Sequence, residues 1–213
     1  MIKQLYKIFQ HWSDGGSLYC YSDPHFKGNG VSLDQDAINM RKIFHYESDE
    51  LQISNINNKV SKNDTLIILG DIGDPIMLEQ LKCKNIVLIK GNHDKGNENY
   101  EKYCKEIYEG PLFINDKILL SHEPIFNDCW LNVHGHIHNQ FELDKFKEEG
   151  KHFICVSANL HNYIPMNLGD LFKHQGEFKD FPSFSSIDSI HRKTINHAVE
   201  RKKRRNLSEF SCI

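Results

Sequence analysis

The sequence has no closely paired cysteines, no long apolar run and no excess of positive charge. Its six cysteines are scattered without a CxxC pair, which predicts neither a disulfide framework nor a cysteine zinc site. We expect most of them to be small, reduced residues of the core. No apolar run approaches the roughly 18 residues that span a bilayer, and MIKQLYKIFQHWSDGG lacks the apolar centre of a signal peptide. We therefore expect a cytoplasmic protein with no membrane partner.

The charge balance excludes a general attraction to nucleic acid. The formal net charge is -3, so binding to a polyanion would need a local basic patch. The segment ERKKRRN (200–206) offers one, with five consecutive basic residues. A solvated helix end is the more ordinary role for such a segment, because cations suit the C-terminal end of a helix dipole. Contact with nucleic acid is the alternative.

The length and composition are those of one ordered domain, and the pattern of apolar residues predicts that this domain is α/β. The chain has 213 residues, of which 39% are hydrophobic and 26% charged. Short β-branched and aromatic runs predict buried strands at 18–22, 65–70, 85–91, 117–122, 130–135 and 152–158. Apolar residues three and four apart predict helices at about 34–44, 49–61 and 75–83. Their alternation predicts a layered fold with a central sheet over residues 1–170, followed by a partly helical extension over 171–213 with a basic end.

Polar motifs follow five of the predicted strands. In chain order they are SDPH with Asp23 and His25, GDIGD with Asp71 and Asp74, GNHD with Asn92, His93 and Asp94, SHEP with His122, and GHIH with His136 and His138. Ligands of open α/β sheets bind beyond the carboxyl ends of the strands. We therefore expect these five turns to converge on one edge.

The side chains of these turns predict a metal centre. Seven of them are metal-ligand types, namely Asp23, His25, Asp71, Asn92, His122, His136 and His138. Seven ligands are too many for one tetrahedral ion, whereas two ions bridged by a carboxylate at about 3.5 to 4 Å are typical of enzymes that displace phosphoryl groups. Any one motif alone is ordinary turn chemistry, so the prediction depends on all five together. We expect His134 to pack or to support a ligand rather than to bind metal.

The five motifs, in this order, resemble the calcineurin-like metallophosphoesterase superfamily: DxH, GDxxD, GNH[DE], a single His after a strand, and GHxH. The resemblance implies a four-layer α/β/β/α sandwich in which helices flank two mixed β-sheets. It favours the small phosphodiesterases and phosphomonoesterases over the serine/threonine protein phosphatases. Those enzymes carry an arginine soon after the second Asp of GDxxD, where this chain has Pro75 and Ile76, and a glutamate in place of Asp94.

The resemblance also implies a role for each residue. The ligands it implies for a first divalent ion are Asp23, His25 and His138, and those for a second are Asn92, His122 and His136. Asp71 would bridge the two ions, and a metal-bridging hydroxide would attack phosphorus. His93 would contact the phosphate and protonate the leaving oxygen, with Asp74 as its orienting partner. Gly70, Gly91 and Gly135 would leave room for backbone beside the metals. Manganese is the favoured ion, with iron, nickel, cobalt and zinc as alternatives.

The motifs specify the bond that is cut and leave the substrate open. A phosphate ester is the predicted partner, with diesters favoured over monoesters and with nucleotides and nucleic acid among the candidates. One alternative is a nuclease or nucleic-acid end-processing phosphoesterase that uses the basic C-terminal segment. Another is a non-catalytic metal-binding scaffold, which the complete ligand set and His93 disfavour. Lys27 is expected to be a solvated lysine, with contact to a substrate phosphate as the alternative.

Overall fold

The computed structural model describes residues 5, 7–9, 16–27, 49–96, 100–114, 117–126, 128–129, 131–139 and 152–175. The strands are β1 Leu18–Tyr21, β2 Thr65–Ile68, β3 Asn85–Ile89, β4 Glu106–Tyr108, β5 Leu112–Ile114, β6 Ile118–Leu120, β7 Leu131–His134, β8 His152–Cys155 and β9 Met166–Asn167. The helices are α1 Asp49–Lys59, α2 Leu168–Gln175 and the 3₁₀ helices Pro75–Gln80 and Ala158–His161. Within this described part, no helix combines the length and the apolar character needed to cross a membrane.

The strands form two mixed sheets, which confirms the predicted α/β class. The first sheet has the order β4-β3-β2-β1-β9, with β1 to β4 parallel and β9 antiparallel to β1. The second has the order β5-β6-β7-β8, with β6 to β8 parallel and β5 antiparallel to β6. Parallel strands are usually covered on both faces, and β1, β2 and β3 are mostly apolar and buried.

Alternate residues of the first sheet enter two separate cores. On one face, the side chains of Tyr21, Ile68 and Leu88 pack with Ile53 and Ile56 of α1. The opposite face packs against the second sheet. Its contributions to that core are Cys20, Ile67 and Val87, which meet Ile118, Leu120, Leu131 and Val133. The described residues thus give a helix layer, a sheet and a second sheet, in that order.

The structure confirms the main strands and modifies the helices. All six predicted strands are present, in somewhat shorter form, and the helix predicted at 49–61 is α1. The helix predicted at 75–83 is a shorter 3₁₀ helix, Pro75–Gln80, because the chain must turn back into β3 within a few residues. The helix predicted at 34–44 and the basic segment 200–206 lie outside the described residues. Helix α2 spans the predicted boundary at residue 170, and Leu171 packs against the core between the sheets.

The cysteines agree with the prediction of reduced core residues. Five of them lie in the described part of the chain, namely Cys20, Cys83, Cys104, Cys129 and Cys155, and all five are free thiols. Four are buried, and burial raises the pKa of the Cys20 thiol to about 12. A thiol with so high a pKa is inert at neutral pH, so we assign Cys20 a packing role only.

The carboxyl ends of the two sheets meet at one place. Strands β1, β2 and β3 run in register, so that Cys20 pairs with Ile67 and Ile67 with Val87. Just beyond β1, Ser22 forms a parallel bridge with Ser157, which follows β8 of the other sheet. The amide of Ala158 donates to the Ser22 carbonyl at 2.8 Å. The turns after the parallel strands of both sheets therefore open onto the same edge.

Candidate metal centre

Backbone hydrogen bonds hold the motif turns side by side. The amides of Asp23 and His25 donate to the carbonyls of Gly70 and Asp71, each at 3.1 Å. In the second sheet, the Gly135 amide donates to the His122 carbonyl at 2.9 Å. The loops therefore extend the parallel alignment of their strands beyond the sheets. This alignment brings the predicted ligands together.

The first predicted ligand group is assembled in the structure. Asp23, His25 and His138 each offer a ligand atom, and these atoms lie within 4.8 Å of one another. Asp23 Oδ1 is 3.6 Å from His138 Nε2 and 3.9 Å from His25 Nε2. The other oxygen, Oδ2, accepts hydrogen bonds from the His136 amide and the Ser157 hydroxyl at 2.9 and 3.0 Å. Among the described residues, Oδ1 has no hydrogen-bond partner although it is buried. A buried, unpartnered carboxylate oxygen facing two imidazole nitrogens fits a cation.

The second group lies beside the first. Its carboxylate and imidazoles, from Asp71, His122 and His136, also lie within 4.8 Å of one another. His122 Nε2 is 3.1 Å from His136 Nδ1 and 2.9 Å from Asn92 Oδ1, so the asparagine joins this group. On the far side of the ring, His122 Nδ1 lies 2.8 Å from the Leu69 carbonyl. Since a carbonyl only accepts, Nδ1 carries a hydrogen, so that loss of the Nε2 proton would leave the lone pair of Nε2 for a metal.

The carboxylate of Asp71 lies between the two groups. Its Oδ2 is 3.3 Å from His122 Nε2 and 3.9 Å from His25 Nε2, which belong to different groups. Its Oδ1 accepts a hydrogen bond from the His93 amide at 2.9 Å. One oxygen therefore faces both groups while the other anchors the carboxylate to the turn after β3.

The buried carboxylates and imidazoles of the site shift one another's pKa values. Burial alone would raise the pKa of Asp71, but the hydrogen bond and positive charge of His122 lower it below its usual range. Burial alone would lower the pKa of His122, yet the carboxylates of Asp23 and Asp71 raise it to about 9. Two carboxylates that can hold a proton on a buried imidazole this firmly would also attract a divalent cation.

Backbone strain is concentrated at the ligands. The φ angles of Asp23, His25, Asp71 and His136 are 56°, 43°, 54° and 68°. Left-handed backbone at a residue other than glycine costs on the order of 1–3 kcal/mol and clusters at functional sites. The hydrogen bonds between turns hold these residues in place. In this backbone conformation, their side chains lie toward the shared centre.

All three predicted glycines are required by close approach to a candidate ligand, and a Cβ on Gly70 would stand 2.5 Å from His122 Nδ1. A Cβ on Gly91 would stand 2.1 Å from Asp71 Oδ1, and one on Gly135 would stand 2.4 Å from Asp23 Oδ2. Neither carboxylate could keep its position beside a larger residue. Each motif glycine thus leaves space for a ligand of a neighbouring motif.

His93 and Asp74 lie near the centre but are not joined to each other. The side chain of His93 is 38% exposed, and its Nε2 lies 3.9 Å from Asp71 Oδ2. Asp74 Oδ2 forms an ion pair with Lys27 Nζ at 3.0 Å, and its Oδ1 accepts from the Ile76 amide as the N-cap of the 3₁₀ helix. Within the described part of the chain, no hydrogen bond or ion pair links Asp74 to His93. The pairing of these two residues stays a prediction, and Lys27 is held at the site by Asp74.

Asp94 organises the turns around the candidate ligands. Its Oδ2 accepts from the amides of Asp71 and Gly91 at 2.7 and 2.9 Å. Its Oδ1 accepts from the Ile72 amide at 3.0 Å and the Tyr100 hydroxyl at 3.1 Å. One buried carboxylate therefore ties the turn after β2 to the turn after β3.

His134 packs instead of joining a ligand group. It is 0% exposed, its Nδ1 lies 2.8 Å from the Gly135 carbonyl, and its ring makes an edge contact with Phe153. Burial lowers its pKa to about 4. Alternation along β7 therefore explains one of the three histidines of VHGHIH, while the other two lie beyond the strand end.

Sequence reasoning missed the residues that follow β8. The hydroxyl of Ser157 donates to Asp23 Oδ2, and Asn159 Oδ1 lies 3.0 Å from His138 Nδ1. Serine and asparagine after a strand are ordinary turn residues, so their types carried no signal. Their position after β8 was the available signal, because β8 ends at the same sheet edge as the five strands that precede the recognised motifs.

Comparisons with known proteins add a likeness in fold. No family model matches the chain, and no curated protein matches it. The chain is similar to the crystal structure of the protein of unknown function AQ665 from Aquifex aeolicus, with a TM-score of 0.61 and 25% sequence identity. The match covers 75% of this chain and 99% of that chain, so the shared fold accounts for nearly all of AQ665.

Proposed function

We propose that the protein is a dinuclear metal-dependent hydrolase of phosphate esters with the four-layer sandwich fold of the metallophosphoesterases. The observation that carries the proposal is the position of Asp71 Oδ2, which lies 3.3 Å from His122 Nε2 and 3.9 Å from His25 Nε2. A carboxylate oxygen that faces two separate groups of ligands could bridge a pair of ions.

The described donor set fits two divalent ions. Asp23, His25 and His138 would hold one ion. His122, His136 and Asn92 would hold the other, and Asp71 would be shared. When bound, such a pair lowers the pKa of a shared water and neutralises charge on phosphate oxygens. Oxygen and imidazole ligands suit manganese, with iron, nickel, cobalt and zinc as alternatives.

His93 is the proposed general acid. It is the partly exposed imidazole at the edge of the ligand groups, with Nε2 3.9 Å from the bridging oxygen of Asp71. From this position it can donate a hydrogen bond to the phosphate and a proton to the departing oxygen. Lys27, held by Asp74 at 3.0 Å, adds a positive charge at the rim. We favour phosphodiesters over monoesters on the resemblance to small phosphodiesterases.

The proposal is tested by hydrolysis of two model esters in parallel. Metal-stripped protein refilled with manganese is assayed on bis(p-nitrophenyl) phosphate and p-nitrophenyl phosphate, with His93→Ala as the matched variant. We expect metal-dependent cleavage, faster on the diester, and a loss of about a hundredfold or more in kcat for the variant. The metal content of His93→Ala should equal that of the wild type, because His93 is outside both ligand groups.

Two other results would redirect the proposal. Cleavage that His93→Ala leaves unchanged would remove His93 as the acid. No cleavage of either ester by protein that holds two ions would favour the scaffold alternative. For the nuclease alternative, activity on DNA or RNA should fall steeply with salt and should depend on the basic segment 200–206.

A further inference from the structure

The segment after β8 supports one side of the metal centre. The hydroxyl of Ser157 donates to Asp23 Oδ2 at 3.0 Å, and Asn159 Oδ1 lies 3.0 Å from His138 Nδ1. Both residues are buried, with exposed fractions of 0% and 5%. Asp23 and His138 are ligands of the same group, the one completed by His25. Two polar side chains on either side of Ala158 therefore serve a single candidate ion.

The amide of Asn159 determines the tautomer of His138. Its Nδ2 donates to the His138 carbonyl at 2.8 Å, so its Oδ1 must be the atom that faces Nδ1 of the same residue. An amide oxygen only accepts, and Nδ1 must then carry the hydrogen. The lone pair of the neutral ring is left on Nε2, which is 3.6 Å from Asp23 Oδ1. Asn159 thus holds both the ring orientation and the protonation that a metal ligand needs.

The second ligand group has a different support. The Nδ1 of His122 is held by the Leu69 carbonyl at 2.8 Å, which is a backbone atom. Among the described residues, neither Ser157 nor Asn159 makes a side-chain hydrogen bond to Asp71, His122 or His136. A change in the segment after β8 should therefore affect one ion and spare the other.

We propose that Asn159 is a positioning residue that sets the affinity of the ion bound by Asp23, His25 and His138, by keeping the lone pair of His138 on Nε2. Ser157 has the parallel role for Asp23. The inference rests on the proposed dinuclear centre but does not depend on which ester is hydrolysed. Loss of a residue that orients a metal ligand in this way weakens metal affinity by about 10 to 100-fold.

The test compares two replacements of similar size in the full chain. Asn159→Leu removes both polar atoms, whereas Asn159→Asp keeps an acceptor for His138 Nδ1. Metal-stripped protein is titrated with Zn²⁺ by calorimetry against a competing chelator. In Asn159→Leu, one of the two dissociation constants should rise by about 10 to 100-fold and the other should not change, while Asn159→Asp should stay within about tenfold of the wild type.

A second readout reports the tautomer without any metal. ¹⁵N NMR of the stripped chain should show the hydrogen of His138 on Nδ1 in the wild type and in Asn159→Asp, and a mixture of tautomers in Asn159→Leu. The matched control is Asn57→Leu, which also removes an amide that makes two side-chain hydrogen bonds, here with Gln80 and Lys82. It should leave both dissociation constants and the His138 signal unchanged. Ser157→Ala gives a milder change at the same ion.

The possible results separate the inference from the proposed function. Undiminished binding of both ions by Asn159→Leu, or equal weakening of both, would overturn the positioning role. A wild type that binds no Zn²⁺ would overturn the metal centre and with it this inference. Selective weakening of one ion in a protein that cleaves no phosphate ester would support the positioning role and remove only the proposed activity.

Discussion

At the scale of single residues, Asp71 is the side chain that lies between the two candidate ligand groups. Its Oδ2 faces both ligand groups, and its Oδ1 binds the turn that carries His93. Its φ of 54° shows that the chain adopts a strained conformation to place this carboxylate. Removing it should therefore affect both ions together.

We predict that Asp71→Ala loses metal. Protein refilled with manganese and desalted should contain clearly less than two ions per chain by elemental analysis, because both sites lose a ligand. Asp64→Ala is the matched control, since Asp64 is also buried and accepts two backbone hydrogen bonds, from Ser17 and Ser61. Retention of both ions and of full activity by Asp71→Ala would show that the bridging assignment is wrong.

His134 makes the stability of the protein depend on pH. Burial lowers its pKa to about 4, while in the unfolded chain it is about 6.5. Between these values the unfolded chain binds a proton that the folded chain does not, so stability falls as the pH falls. This histidine should lower the free energy of unfolding by up to about 1.4 kcal/mol per pH unit in that window.

The replacement His134→Asn tests this contribution. The asparagine amide can still donate to the Gly135 carbonyl, which His134 Nδ1 contacts at 2.8 Å, but it does not titrate. Denaturant unfolding of chelator-treated protein at pH 7, 6 and 5 should give a smaller loss of stability for the variant. Equal pH slopes for the two proteins would rule out His134 as the titrating group.

At the scale of elements, the candidate ligands lie in the turns after the strands, and the strands align these turns. Asp94 accepts hydrogen bonds from both the turn after β2 and the turn after β3. The glycine that opens the latter turn, Gly91, lies against the former. These turns therefore form one interlocked unit in which each motif has to fit the next.

We predict that Gly91→Ala damages the centre while Gly110→Ala does not. The new Cβ at residue 91 would stand 2.1 Å from Asp71 Oδ1 and would displace the bridging carboxylate. At residue 110 a Cβ would meet no atom within 4 Å. Overpacking of this kind costs about 1–3 kcal/mol, so Gly91→Ala should show a lower melting temperature and weaker metal binding. Metal affinity equal to that of the wild type in Gly91→Ala would argue against this packing.

The elements also show what sequence patterns detect. Strands β1, β2 and β3 were predicted because each is a run of four or five mostly apolar residues ending at a turn. Strands β4 and β5 have three residues each and are not predicted, because so short a run has a weak period and, unlike β6 of the same length, neither leads into a polar motif. The 3₁₀ helix Pro75–Gln80 was predicted as a longer helix because its apolar spacing suits both kinds of turn.

At the scale of the whole molecule, the centre joins the two sheets. Asp23, His25 and Asp71 follow strands of the first sheet, whereas His122, His136 and His138 follow strands of the second. An ion held by ligands from both would act as a link across the interface between the sheets. Metal binding and global stability should therefore be coupled.

We predict that removing metal lowers the melting temperature. An ion present at a hundred times its Kd adds about 2.7 kcal/mol, which for a chain of this size is about 5 to 10 °C. Differential scanning calorimetry of stripped protein, with and without added Mn²⁺ or Zn²⁺, should show this shift, and it should grow with ion concentration. Asp71→Ala is the control that should lose most of it. A melting temperature indifferent to either ion would contradict binding to the folded state.

The sequence alone determined the kinds and positions of the candidate ligands. Motifs follow strands, and the carboxyl ends of parallel strands lie at one sheet edge, so Asp23, Asp71 and His136 could be identified as members of one set. The tertiary structure decided which side-chain atoms contact each other. Whether Asp74 binds His93 or Lys27, whether Asn159 supports a ligand and whether His134 packs on Phe153 all depend on distances of a few ångströms between segments far apart in the chain. Such distances follow from how the two sheets pack, and no local pattern of residues encodes them.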